Sequence, residues 1–157
     1  MQYLIDGHNL IPFVPGLNLS DMDDEEKLVS LLQVHARVSR SRIEVYFDKA
    51  PDGRQRTRKV GMITVHSIRP PAIADSAIID RIRSLKKTAN GWSVVSHDRA
   101  VQDACRRLGA RIVDSPEFTR MLLESIGKEQ QRTREQPELG EGDVEEWLRL
   151  FKAGKDT

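Results

Sequence analysis

The chain opens with MQYLIDGHNL (residues 1–10), in which the apolar run Tyr3, Leu4 and Ile5 stops at once on Asp6, Gly7, His8 and Asn9. A run this short at the start of the chain reads as a buried strand over residues 2 to 6 rather than a helix. The same ending recurs downstream. RIEVYFD (42–48) stops at Asp48 before a Pro-Asp-Gly turn, and WSVVSHD (92–98) stops at Asp98. MITVHSI (62–68), closed by Pro70 and Pro71, and ARIVD (110–114) supply two more strands.

Helical patterns separate them. LSDMDDEEKLVSLLQVHARV (19–38) offers Ser20 as a cap, acids for the first turn, and an apolar face of Leu28, Leu31, Leu32 and Val38 with His35 or Ala36. ADSAIIDRIRSLKKTANG (74–91) and RAVQDACRRLG (99–109) repeat the helical spacing, and Ser115-Pro116 starts a last core helix. Alternating strands and helices with short connections predict an α/β fold, a parallel sheet in a three-layer α/β/α sandwich. EQQRTREQPELGEG (129–142) is polar and has no apolar stripe. The expected organisation is therefore a domain over 1–126, a flexible linker over 127–142, and a short amphipathic helix and tail over 143–157, with Val144, Trp147, Leu148 and Phe151 on one face.

Composition narrows the classes. Across 157 residues, 25 basic side chains nearly balance 24 acidic ones, so any nucleic-acid site has to come from local clustering. The single cysteine, Cys105, excludes an intramolecular disulfide framework and fits a reducing cytoplasm. No apolar run is long enough to span a membrane, and no charged leader precedes one.

In an open parallel sheet, ligands sit at the carboxyl ends of the strands. Asp6, Asp48 and Asp98 fall at such ends, and Asp75 opens a helix that the fold brings to the same edge. Gathered carboxylates repel, so they either keep a proton or share a cation; oxygen ligands of this kind suit Mg²⁺ or Mn²⁺. An aspartate at a strand end also serves as a turn former or helix cap, and the Pro-Asp-Gly turn alone would account for Asp48.

Taken in order, IDGHN (5–9), VYFD (45–48), ADSAIID (74–80) and VVSHDRAVQ (94–102) resemble the successive motifs of NYN-domain ribonucleases of the YacP-like branch, whose fold is similar to the PIN and FLAP nuclease domain. The resemblance spans residues 1 to 126. It implies a metal-dependent endoribonuclease acting on single-stranded RNA and leaving a 5′-phosphate, with the ribosome as a partner that presents substrate. It also implies Asp6 and Asp75 as metal ligands, Asp98 as a third ligand or water-mediated partner, Asn9 in support of the catalytic set, and Asp48, Asp80, Asp103 and His97 as outer groups. Two positions depart from the pattern: His8 stands where tyrosine is common, and His97 interrupts a serine or threonine pair before Asp98.

Positive charge for RNA is expected from Arg54, Arg56, Arg58 and Lys59 in the connection after the second strand, and from Arg99 beside Asp98. Phe13 is the candidate for base stacking. His35 and His66 read as structural. A non-catalytic RNA-binding or ribosome-associated adaptor is the alternative, disfavoured because an acidic cluster repels phosphate. A haloacid-dehalogenase-type phosphatase needs an aspartate at the position of His8, and a dinucleotide-binding domain needs a glycine-rich turn after the first strand; neither is present.

Overall fold

The structure is a computed structural model and describes residues 1–19, 23–50 and 56–135. Six strands form one sheet: β1 (Gln2–Asp6), β2 (Arg42–Phe47), β3 (Arg56–Val60), β4 (Ile63–Ser67), β5 (Ser93–Val95) and β6 (Arg111–Val113). Their spatial order is β3-β4-β2-β1-β5-β6, parallel throughout except for β3, which runs antiparallel to β4. The expected parallel sheet is present and carries one antiparallel strand at its edge. The segment read as a basic connection is that edge strand, because Gly61 at φ +62° lets the chain reverse between β3 and β4.

The winding places the chemistry. From β1 the chain moves outward to β2 and β4, then returns across β1 to β5 and β6, so the direction reverses at β1. Helix α2 (Asp24–Ser39) and α5 (Ser115–Glu135) cover one face; α3 (Ala74–Leu85) and α4 (Arg99–Arg107) cover the other. Side chains alternate accordingly. Tyr3, Ile5, Ile43, Val45 and Phe47 pack towards α2 and α5, while Leu4, Tyr46 and Val94 pack towards α3 and α4.

Helix α5 runs through Glu135, across residues expected to begin the linker. Glu129 accounts for the extension. Its buried carboxylate receives hydrogen bonds from Arg37 at 2.8 Å and Arg132 at 2.5 Å, which outweigh the cost of burial and hold its pKa down. The rest of the expected linker and the Trp147–Phe151 helix lie outside the described residues, as does Ser20; α2 begins at Asp24, with Asp24, Glu25 and Glu26 in its first turn.

One charged residue sits inside a central strand. Glu44 is 8% exposed and accepts from His66 at 3.1 Å, Arg81 at 3.1 Å and Tyr46 at 3.3 Å, while the His66 ring stacks on Tyr46. Burial opposes the carboxylate, and the His66 and Arg81 bonds overcome that opposition and lower its pKa. His66 is structural, as expected. So is Cys105, whose thiol burial pushes up to about 11.

Gly7 is required by space. A Cβ there would lie 2.2 Å from Cε1 of Phe47, a ring only 2% exposed. Gly7→Ala is predicted to destabilise by about 1–3 kcal/mol through overpacking, read as a lower urea midpoint, and Phe47→Leu in the same chain should recover part of the loss.

His35 lies between Tyr3 and Phe118, is 2% exposed, and bonds Ser125 Oγ through Nδ1 at 2.7 Å. Burial lowers its pKa from 6.5 to about 4. Between those values the unfolded chain binds a proton that the folded chain refuses, so acidification through this window removes stability. Chemical denaturation of wild type and His35→Gln from pH 7 to pH 4 should show the wild type losing more stability; parallel curves would contradict a neutral buried imidazole.

Candidate active site

Asp6 ends β1 and caps a single helical turn, α1 (Gly7–Leu10), accepting from the Asn9 backbone N–H at 3.3 Å. Next to it in the sheet, β2 leads into Asp48, whose carboxylate accepts a short hydrogen bond from the backbone N–H of Ala74. That bond captures the start of α3. Because Asp75 is the next residue, its carboxyl is carried to Asp6, close enough to share a hydrogen bond.

The pair has a clear electrostatic signature. Asp6 is 5% exposed, and its pKa is raised to about 7 by burial first, then by the hydrogen bond and charge of Asp75, with Asp48 adding and the Asn9 N–H opposing. Two carboxyls this close hold one proton well above the ordinary carboxylate range unless a cation replaces it. The set consists of hard oxygen donors, which fits Mg²⁺ or Mn²⁺, ions that take one or two protein carboxylates and keep several waters. Among the described residues no three His, Cys, Asp or Glu side chains are grouped to hold an ion.

Asp98 is used differently. Its Oδ1 accepts from Ala100 N at 2.8 Å and Val101 N at 3.4 Å, which makes it the N-cap of α4. Asp80 and Asp103 stand apart from the pair, in exposed i,i+3 bridges to Arg83 at 2.8 Å and Arg106 at 3.1 Å. The reason for Asp80 is angular: five residues on from Asp75, it is rotated by about 140° around α3.

Asn9 supports the site from an unexpected direction. Only its backbone meets Asp6. Its side-chain Oδ1 accepts from His97 N and from Ser115 Oγ, both at 2.8 Å, tying α1 to the end of β5 and the start of α5. This clamp closes over the β1–β5 boundary, where the sheet reverses direction. Ser115, expected only to start the last core helix, is thus also a positioning residue, and its own N–H donates to Asp114 Oδ1 at 2.9 Å.

Two histidines flank the carboxylates. His8 bonds Glu25 at 2.6 Å and packs on Phe47; the Glu25 bond, partly offset by burial, raises its pKa. His97 bonds Asp114 at 2.6 Å and meets the Phe13 ring edge-on at 4.9 Å. Phe13 is therefore half-buried against His97 rather than fully exposed for stacking. Of the expected basic set, Arg56, Arg58 and Lys59 are exposed along β3 and Arg99 is exposed at the start of α4. Arg54 lies outside the described residues.

Known proteins share this fold. The crystal structure of Rae1 (YacP) from Bacillus subtilis superposes with a TM-score of 0.74, at 22% identity, over 97% of this chain and 92% of that one. A point mutant of the same protein gives 0.70 at 22% identity, over 96% and 91%. At this identity the likeness speaks for the fold. No curated protein sequence matches significantly. No described helix is long and apolar enough to cross a membrane. The family model for the YacP-like NYN domain matches residues 3–149. The chain belongs to the YacP-like NYN domain family, a family of ribonuclease type.

Proposed function

We propose that this protein is a metal-dependent endoribonuclease of single-stranded RNA, with Asp6 and Asp75 as ligands of one Mg²⁺ or Mn²⁺ and Asp98 acting through water. The observation that carries this reading is the buried Asp6 carboxyl pressed against Asp75, an arrangement that costs stability unless a proton or a cation sits there. The ion would supply Lewis-acid charge to a phosphoryl group and make nearby water more acidic.

The chain's own residues do the rest. Asp48 fixes the start of α3 and so the separation of the two ligands. The Asn9 clamp holds the β1 and β5 ends together, and with them Asp6 and Asp98. The Phe47 ring under Gly7 packs the side of the site opposite α3. Arg99 and the β3 arginines offer charge to the RNA backbone from either side of the carboxylates. With Phe13 turned onto His97, stacking is sparse, so a free strand is held chiefly through its phosphates, and a larger assembly such as the ribosome would add to that hold.

The direct test is incubation of 5′-labelled single-stranded RNA with protein in Mn²⁺, Mg²⁺ or chelator, beside folded Asp6→Asn. Metal-dependent fragments that vanish in Asp6→Asn are expected; RNA that is bound but never cut would favour the adaptor reading.

Stability offers a second readout. Because the folded pKa of Asp6 lies above the ordinary value of 3.8, its protonated form stabilises the fold at low pH, and this stability is lost as pH rises from about 4 through about 7. In chelator at pH 8, Asp6→Asn should melt above wild type, and Mn²⁺ should raise the wild-type melting temperature while leaving Asp6→Asn unmoved.

Asn9→Ala removes the acceptor shared by His97 N and Ser115 Oγ. A loss of about 1–3 kcal/mol in denaturant titrations is expected, with reduced cleavage but with metal-induced stabilisation retained, since Asp6 and Asp75 stay.

A further inference from the structure

On the α2 face of the sheet lies a cleft of about 460 Å³ lined chiefly by Glu25, Glu26, Phe47, Arg56, Arg58 and Ser67. Its size falls among small-ligand sites, which run from about 300 to 1,000 Å³. The antiparallel register sets Arg56 opposite Ser67 and Arg58 opposite Val65. Strand alternation then puts Arg56 and Arg58 on the cleft face about 7 Å apart. Thr57, on the other face, meets His66.

The floor is apolar and buried, formed by Phe47 and Val65. Phe47 precedes Asp48, packs against Gly7 beside Asp6, and carries the His8 ring that bonds Glu25. Through Phe47 and Gly7 the cleft therefore reaches the end of β1, where Asp6 stands. Across the cleft from the arginines stand the acids of the first turn of α2, and Glu26 pairs with Arg58. The Arg58 and Glu26 side chains are 45% and 67% exposed, so the bridge contributes little to stability and opens at small cost. A guanidinium released from a carboxylate offers a planar fork that matches a phosphate.

We propose that this cleft is a backbone-phosphate subsite for RNA. Arg58, with Arg56 beside it, takes a phosphodiester flanking the one that is cut, and Glu26 occupies Arg58 in the free protein as a stand-in that the strand must displace. The subsite rests on the ribonuclease reading above. Charged residues on an edge strand also discourage sheet-to-sheet association; that role alone leaves RNA binding indifferent to Glu26.

The test is fluorescence anisotropy of a short fluorescein-labelled single-stranded RNA with the full chain in chelator, titrated over a range of salt, with Mn²⁺ cleavage assays and thermal melts in parallel. Arg58→Ala should weaken binding about ten-fold and reduce the slope of log Kd against log salt by about one. Arg58→Lys should fall between it and wild type. Glu26→Gln should tighten binding several-fold, and this gain should vanish in the Arg58→Ala background. Glu124→Gln, the same charge change on the exposed side of α5, should bind as wild type.

A Glu26→Gln gain that persists without Arg58 would be a bulk charge effect and would overturn the proposal. So would an unchanged salt slope in folded Arg58→Ala while the wild type binds and cuts RNA, leaving the ribonuclease reading intact. A wild type that neither binds nor cuts RNA would remove both.

Discussion

Two carboxyls held side by side, one of them buried, set the terms for the rest of this molecule. Left alone, Asp6 and Asp75 would separate or stay protonated, because like charges at low dielectric repel strongly. The fold denies them separation. Asp6 is fixed by the central strand and the turn that follows it, and Asp75 by the hydrogen bond from Ala74 to Asp48. What remains is a site that prefers a proton or a cation between its oxygens.

The surrounding structure keeps that site shut on the protein side. The amide oxygen of Asn9 ties its own helical turn to two segments that the chain reaches 88 and 106 residues later, and Gly7 yields its side-chain space to Phe47. Each contact draws a different part of the chain to the reversal point of the sheet. Two other buried acids, Glu44 and Glu129, follow the opposite rule: each is met by cationic donors, and its pKa is pushed down instead of up. The contrast marks Asp6, among the described residues, as a buried acid pressed against another acid.

The two faces of the sheet divide the labour. On the α3 face, Glu44, His66 and Arg81 are committed to one another, with Arg81 also over the Trp92 ring, so their charge is spent on the fold. On the α2 face, the β3 arginines meet acids across a cleft floored by Phe47, the residue before Asp48. Charge on that side is paired at the surface, where exchange for another anion costs little.

Periodicity and punctuation alone determined most of the architecture. Tyr3-Leu4-Ile5 and Val94-Val95 read as buried strands, the Leu28–Val38 stripe as a helix, and the aspartates at three strand ends as candidates for one edge, because burial periodicity and turn chemistry are local properties of the chain. Tertiary structure decided which of those aspartates meet. Asp48 and Asp98 both end strands, yet Asp98 caps the helix that follows it while Asp48 recruits α3, 26 residues further along the chain, a partner that no turn or capping pattern announces. The antiparallel edge strand, the helix that continues to Glu135, and the Asn9 clamp were equally hidden. They depend on Val60 finding Ile63, Glu129 finding Arg37, and Asn9 finding Ser115, and the last two of these contacts join residues far apart in sequence that only the folded sheet brings within hydrogen-bonding distance.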